Sequence, residues 1–235
     1  MPAIRSWNIV RFLAVASLLA AMVGCGGKKA ETVAEGAAAT GSPTQVSAEQ
    51  SVAPVAGKRA APPKPADPLI VLHTTAGDIK IQLFAEKAPQ TVENFLTQYA
   101  ARGYYDKTIF HHVEPGQMLI GGGFDTELVA KSPRTPIFNE SRNGLSNRRG
   151  TLAMIRDAES PHTATSQFFI NLGDNPDLDF KAGDEEDKLG YCVFGEVIEG
   201  IEIVERISKL PTSSIGEFAS VPSPPVSIQT VERLR

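Results

Sequence analysis

Two helix-like stretches, far apart in sequence and joined by a succession of short strand-like segments, leave this chain few ways to fold. Leu69-Ile70-Val71-Leu72-His73-Thr74-Thr75 is rich in β-formers, Ala76-Gly77-Asp78 is turn chemistry, and Ile79 to Phe84 alternates like a half-buried strand. The first helical stretch opens at Ala88-Pro89-Gln90-Thr91 and places Val92, Phe95, Leu96 and Tyr99 three and four residues apart. Gly103 closes it. Strand candidates cut by Gly, Pro and Asn follow. A second helix over about 201–209 carries Ile203, Val204 and Ile207 as its apolar stripe and stops at Pro211; Val226 to Leu234 alternates again. The pattern predicts one mainly β domain over residues 68–235. An antiparallel barrel with its ends plugged by helices satisfies it, and so does a sandwich.

The preceding residues have a different character. Arg5 and Arg11 form a positive n-region ahead of an apolar run from Phe12 to Val23, too short to span a bilayer comfortably, so residues 1–24 read as a signal peptide. Met22-Val23-Gly24-Cys25 resembles the lipobox of bacterial lipoproteins, in which cleavage precedes a cysteine that becomes lipid-modified. The resemblance implies a lipidated Cys25 and a domain held at a membrane of the bacterial cell envelope, on its non-cytoplasmic, periplasmic side. Each buried methylene of such an anchor contributes about 0.8 kcal/mol, and more than one acyl chain makes attachment stable. Residues 25–67 are Ala, Pro, Ser, Thr and Gly with scattered charges, and cannot bury enough apolar surface to offset their ordering entropy. They read as a tether reaching roughly 35 Å on average. Loss of residues 1–24 removes Trp7 and two basic residues, leaving 21 basic against 27 acidic and a net charge of −6. That balance argues against nucleic acid as a partner.

With Cys25 lipidated, Cys192 is the remaining thiol; it lies in a strand-like run, with no His-Asp arrangement to activate it, and reads as a small buried hydrophobe. His111-His112 near Glu114 suggests a metal site only superficially, because neighbours on a strand point to opposite faces. Gly121-Gly122-Gly123 does not join a strand to a helix and reads as close backbone packing rather than a phosphate cradle. Asp184-Glu185-Glu186-Asp187 lacks the ligand spacing of a calcium loop and reads as a solvated loop. Neither metal nor cofactor is expected.

Phe110-His111-His112-Val113-Glu114-Pro115-Gly116-Gln117-Met118-Leu119-Ile120-Gly121-Gly122-Gly123-Phe124 and Gln167-Phe168-Phe169-Ile170-Asn171 together resemble the substrate groove of a cyclophilin. Pro136-Ile137, Asn139-Glu140, Gly144 to Met154 and Thr163 to Ser166 extend the likeness over Leu69 to Arg235. The resemblance implies a closed antiparallel eight-stranded β-barrel capped by two α-helices, and a peptidyl-prolyl cis-trans isomerase that assists folding. Its partners would be proline-containing polypeptide segments, and it would act as a monomer.

Rotation about a peptide bond faces a barrier near 18–20 kcal/mol, and exchange before proline takes tens to hundreds of seconds. Catalysis therefore needs an apolar seat for the ring, donors on the flanking backbone and a group favouring a deconjugated nitrogen. By the resemblance, Met118, Phe169 and Leu178 form the seat, Gln167 steadies the substrate backbone and Tyr191 stands at the groove edge. His112 occupies the position of the family's catalytic arginine. Gln117 replaces a phenylalanine, Ile120 a glutamine, Asp177 an aromatic residue and Ile155 a smaller one. Histidine offers fewer donors than arginine on a shorter arm and is mostly neutral near pH 7. Two readings follow: a weak or narrowly specific isomerase, or a module that holds proline segments, or another envelope partner as a scaffold, without turnover.

Overall fold

A computed structural model describes residues 67–183 and 189–234. The signal peptide, Cys25, all but the end of the tether, and the acidic run at 184–187 lie outside the described residues. Among the described residues ten strands form: β1 Leu69–Thr74, β2 Gly77–Leu83, β3 Thr108–Glu114, β4 Met118–Asp125, β5 Thr151–Met154, β6 Phe168–Asn171, β7 Val193–Glu199, β8 Thr212–Ile215, β9 Phe218–Pro222 and β10 Ser227–Arg233. Eight of them close into a barrel in the order β1-β10-β3-β4-β6-β5-β7-β2, and each neighbouring pair is antiparallel. The alternative of a sandwich is excluded.

Alternation along the strands sorts the side chains. Ile70, Leu72, Ile79, Ile81, Leu119, Leu152 and Ile170 point into the barrel and join the main core, where Phe95 meets Tyr105, Phe168 and Phe194 at centroid distances of 4.9, 5.9 and 5.5 Å. The glycine run serves close packing, as its sequence suggests. A Cβ on Gly121 would lie 2.8 Å from the Phe110 ring, and one on Gly123 would lie 2.6 Å from the side chain of Gln167.

The first helical stretch is less regular than its spacing predicts. It starts as α1 Pro89–Glu93, widens to π winding over Asn94–Tyr99 and tightens to a 3₁₀ turn over Ala100–Arg102. Asn94, Phe95, Leu96 and Tyr99 are all buried, a face wider than the stripe of a uniform α-helix, and the widened turn accommodates it. Gly103 ends the stretch in the left-handed conformation. The second helix, α2, spans Ile201–Ser208 and buries Val204 and Ile207.

The N-terminus of α1 has no cap from Ala88. Glu140, fifty residues away, supplies it: its carboxylate accepts from the amides of Gln90 (3.2 Å) and Thr91 (2.8 Å) and from the Thr91 hydroxyl (2.7 Å). Two orphan helix donors are thereby satisfied by a loop distant in sequence. Glu140→Ala is expected to cost about 1–2 kcal/mol, in the range of lost helix caps. Urea unfolding measures it directly, and an unchanged midpoint would show that the cap contributes nothing.

Candidate active site

A second apolar cluster lies on the opposite side of the strands from the core. It comprises Met118 and Ile120 on β4, Phe169 on β6, Ala153 on β5, Val193 on β7, and Leu178. The register explains why they meet. Ile120 pairs with Phe169, Phe169 with Ala153, and Ala153 with Val193, so directly opposed residues share one face across four strands. Their immediate neighbours Leu119, Phe168, Ile170, Leu152, Met154 and Phe194 belong to the interior. Ile155 and Tyr191 are half-buried and pack against this outer cluster; the Tyr191 ring meets Phe169 edge-on at 5.8 Å.

β3 brings the polar groups alongside. His112 pairs with Ile120 and Glu114 with Met118, which places both on the face of the apolar cluster. Burial lowers the pKa of His112 and raises that of Glu114. A neutral imidazole thus borders the cluster at pH 7. His111 has a different environment: its ring packs edge-on against Phe124 and Phe218, contributed by β4 and β9, at 4.7 and 5.9 Å. Burial first, and the neighbouring His112 second, push its pKa down to about 3. The two histidines thus stand in different environments, and among the described residues no group of three or more His, Cys, Asp or Glu is arranged to hold a metal ion.

Gln167 lies against β4 in the space left by Gly123, and its Oε1 is a buried acceptor without a hydrogen-bond partner among the described residues. Gln117 stands at the tip of the β3–β4 hairpin. Its carbonyl accepts from the Leu172 amide (2.8 Å) and from Asn175 Nδ2 (3.0 Å), so the tip is tied to the turn at Pro176–Leu178. That turn separates two predicted site residues. Leu178 is buried in the cluster, whereas Asp177 projects into solvent and pairs with Lys181 at 3.3 Å. Asn147 and Asn171 complete the support: the amide and Nδ2 of Asn147 donate to Asp179 Oδ1, and Asn171 Nδ2 donates to Thr151 Oγ1 at 2.8 Å. Cys192 is buried, and burial pushes its thiol up to about 12, far from a reactive thiolate.

Met118, Ile120, Ile155, Phe169, Leu178 and Tyr191 thus come together, with His112, Gln117 and Gln167 around them and Asp177 turned away. Arg156 carries no signal of its own in the sequence, and Asn139 and Asn147 stand there only within family-like motifs. Asn139 and Arg156 donate to carbonyls at 189–190 and Asn147 donates to Asp179, contacts distant in sequence that no spacing rule announces.

Residues 69–233 match the family described as cyclophilin type peptidyl-prolyl cis-trans isomerase/CLD. The chain is 47% identical over 163 residues to peptidyl-prolyl cis-trans isomerase B of Escherichia coli, covering 69% of this chain and 98% of that protein. It is 43% identical over 166 residues to peptidyl-prolyl cis-trans isomerase A of Dickeya dadantii, covering 71% and 84%. A crystal structure of a Cryptosporidium parvum cyclophilin type peptidyl-prolyl cis-trans isomerase superposes with a TM-score of 0.60 at 27% identity, over 72% of this chain and 98% of that one. A second crystal structure of that protein, in the presence of the dipeptide Ala-Pro, gives 0.59 at 27% identity, over 71% and 99%. A closed eight-stranded barrel, an outer apolar cluster edged by polar groups and agreement along the whole domain converge: the chain belongs to the cyclophilin-type peptidyl-prolyl cis-trans isomerases.

Proposed function

We propose that this isomerase works on proline-containing segments at the cell envelope, as a monomer anchored through lipid on Cys25, with His112 as its catalytic side chain. The outer apolar cluster, the observation that carries the reading, has the chemistry to seat a prolyl ring: Met118, Phe169 and Leu178 form its floor, and Ile155 and Tyr191 its walls. Gln167 Oε1 is an unused acceptor suited to a substrate amide. Gln117 stands at the same end as the Pro176–Leu178 turn, and Asp177 there offers charge to a residue flanking proline. His112 donates one hydrogen bond when neutral, which supports slow turnover. Ile120 opposite it has no polar atom to orient the ring.

Protonation would turn His112 into a cation closer to the arginine it replaces. Since burial lowers its pKa, the neutral form dominates at pH 7 and the cation forms only in acid. The turnover rate on an Ala-Pro peptide is therefore expected to rise as pH falls below the ordinary histidine range, and His112→Gln to abolish the rise. Exchange spectroscopy across pH, with circular dichroism to confirm folding, reads both. A flat profile in the wild-type protein would remove His112 from the mechanism.

A second reading is binding without turnover, favoured by the neutral His112 and the apolar Ile120 facing it. Saturable peptide binding with exchange at the uncatalysed rate would establish it. The anchor is tested separately: incorporation of an alkyne fatty acid that Cys25→Ser eliminates is expected, and equal labelling of both proteins would reject lipidation at Cys25.

A further inference from the structure

Arg156 lies two residues beyond β5 and is only 8% exposed. Its guanidinium donates from Nη1 to the carbonyls of Asp157 (2.6 Å) and Ala158 (3.0 Å), from Nη2 to the carbonyl of Leu189, and from Nε to that of Gly190 at 3.5 Å. Its charged carbon sits 4.8 Å from the centroid of the Tyr191 ring. The acceptors come from two stretches distant from each other in sequence, one immediately after Arg156, the residue that follows Ile155, and one immediately before Tyr191. Ile155 and Tyr191 are the two half-buried walls of the apolar cluster. The second stretch is in turn pressed on the Leu178 turn. The Tyr191 amide donates to the Leu178 carbonyl at 2.8 Å, and a Cβ on Gly190 would lie 2.4 Å from the Phe180 nitrogen.

Burying a cation is costly unless its donors are satisfied. Here carbonyls on both stretches and an aromatic face satisfy them, in a planar fork that only arginine supplies. Since those donors are turned to the protein's own backbone, the guanidinium is not free to reach a substrate. We propose that Arg156 is a positioning residue of the isomerase: it straps the 157–158 stretch to the 189–190 stretch and holds Tyr191 against its charged face, fixing the width of the seat between Ile155 and Tyr191. The proposal rests on the reading that this cluster receives the prolyl ring.

The test compares the full-length wild-type protein with Arg156→Met and Arg156→Lys on an Ala-Pro peptide. Arg156→Met is expected to raise KM about tenfold, below the 10²-fold that a 1 Å misplacement can cause, with kcat nearly unchanged. Burial raises the Tyr191 phenol pKa and Arg156 lowers it, so NMR titration of Tyr191 should move further up in Arg156→Met. Arg156→Lys keeps a charge but cannot bridge both stretches, so KM stays raised while the Tyr191 titration remains near wild type. If Arg156→Met does not fold, Arg156→Lys carries the KM comparison alone. A wild-type KM in the folded variants, or a loss confined to kcat, would overturn the positioning role, as would an unshifted Tyr191 in Arg156→Met. A wild-type protein that neither binds nor turns over the peptide would instead defeat the function on which the proposal rests, a separate and recognisable outcome.

Discussion

Replacing His112 by arginine together with Ile120 by glutamine is expected to raise the isomerisation rate by roughly 10²-fold, the lower end of what one positioned electrostatic donor contributes elsewhere in enzymology. The geometry gives the reason for pairing the changes. His112 and Ile120 are directly opposed on β3 and β4, so a guanidinium at 112 would face whatever side chain stands at 120. Isoleucine offers it no acceptor. Glutamine offers one, and an oriented planar fork loses less freedom per hydrogen bond than a wandering one. His112→Arg alone should gain less than the pair. Glutamine at 120 also places a polar group in a position only 5% exposed, so the double variant should be somewhat less stable while it is faster. Exchange rates on one peptide across the four proteins of this cycle give the coupling. If both singles and the double turn over at the wild-type rate, His112 is not what limits this chain.

The largest stability effect is expected inside the barrel. Phe95→Ala should cost about 3–5 kcal/mol, the range found when a buried aromatic is truncated in a core that cannot collapse around the void. Phe95 is fully buried among Tyr105, Phe168 and Phe194, which come from the segment after the first helical stretch, from β6 and from β7. Such a loss is a large share of a typical domain's stability. Loss also reaches the site, because Phe168 precedes Phe169, and Phe194 follows Val193, on strands whose other face carries the apolar cluster. Guanidinium unfolding measures the effect. A loss below about 1 kcal/mol would mean that the site repacks, contrary to the close packing of protein interiors.

Much of the fold is legible in the sequence because it rests on local rules. The alternation of Ile79, Ile81 and Leu83 reports which side of β2 is buried, and Ile203, Val204 and Ile207 mark α2. Barrel and sandwich share that alternation, so only the resemblance separates them in advance. The helical spacing of Val92, Phe95, Leu96 and Tyr99 locates the first helix but not its widened turn, since that depends on burying Asn94 beside Phe95. The Glu140 cap and the Arg156 strap escape the sequence for another reason: each joins segments brought together by barrel closure. The predicted site divides in the same way. Met118, Ile120 and Phe169 lie on strands, where pairing dictates their face. Asp177 and Leu178 lie on a turn, where adjacent residues diverge, and Asp177 is therefore in solvent rather than on the cluster. The β8–β9 hairpin, whose Phe218 closes over His111, has no sequence signal of comparable strength because its strands are short, β8 is mostly exposed and β9 shows no clean alternation of buried and exposed residues.

The most direct test of the central claim is exchange spectroscopy on an Ala-Pro peptide with the full-length protein in catalytic amount, beside Phe169→Ala. A seat built on Phe169 with His112 beside it predicts cis-trans exchange cross-peaks faster than the peptide shows alone, diminished at least tenfold when the floor of the seat is removed, as loss of a buried aromatic contact of a few kcal/mol implies. Exchange at the uncatalysed rate in the wild-type protein, or undiminished exchange in folded Phe169→Ala, would contradict it.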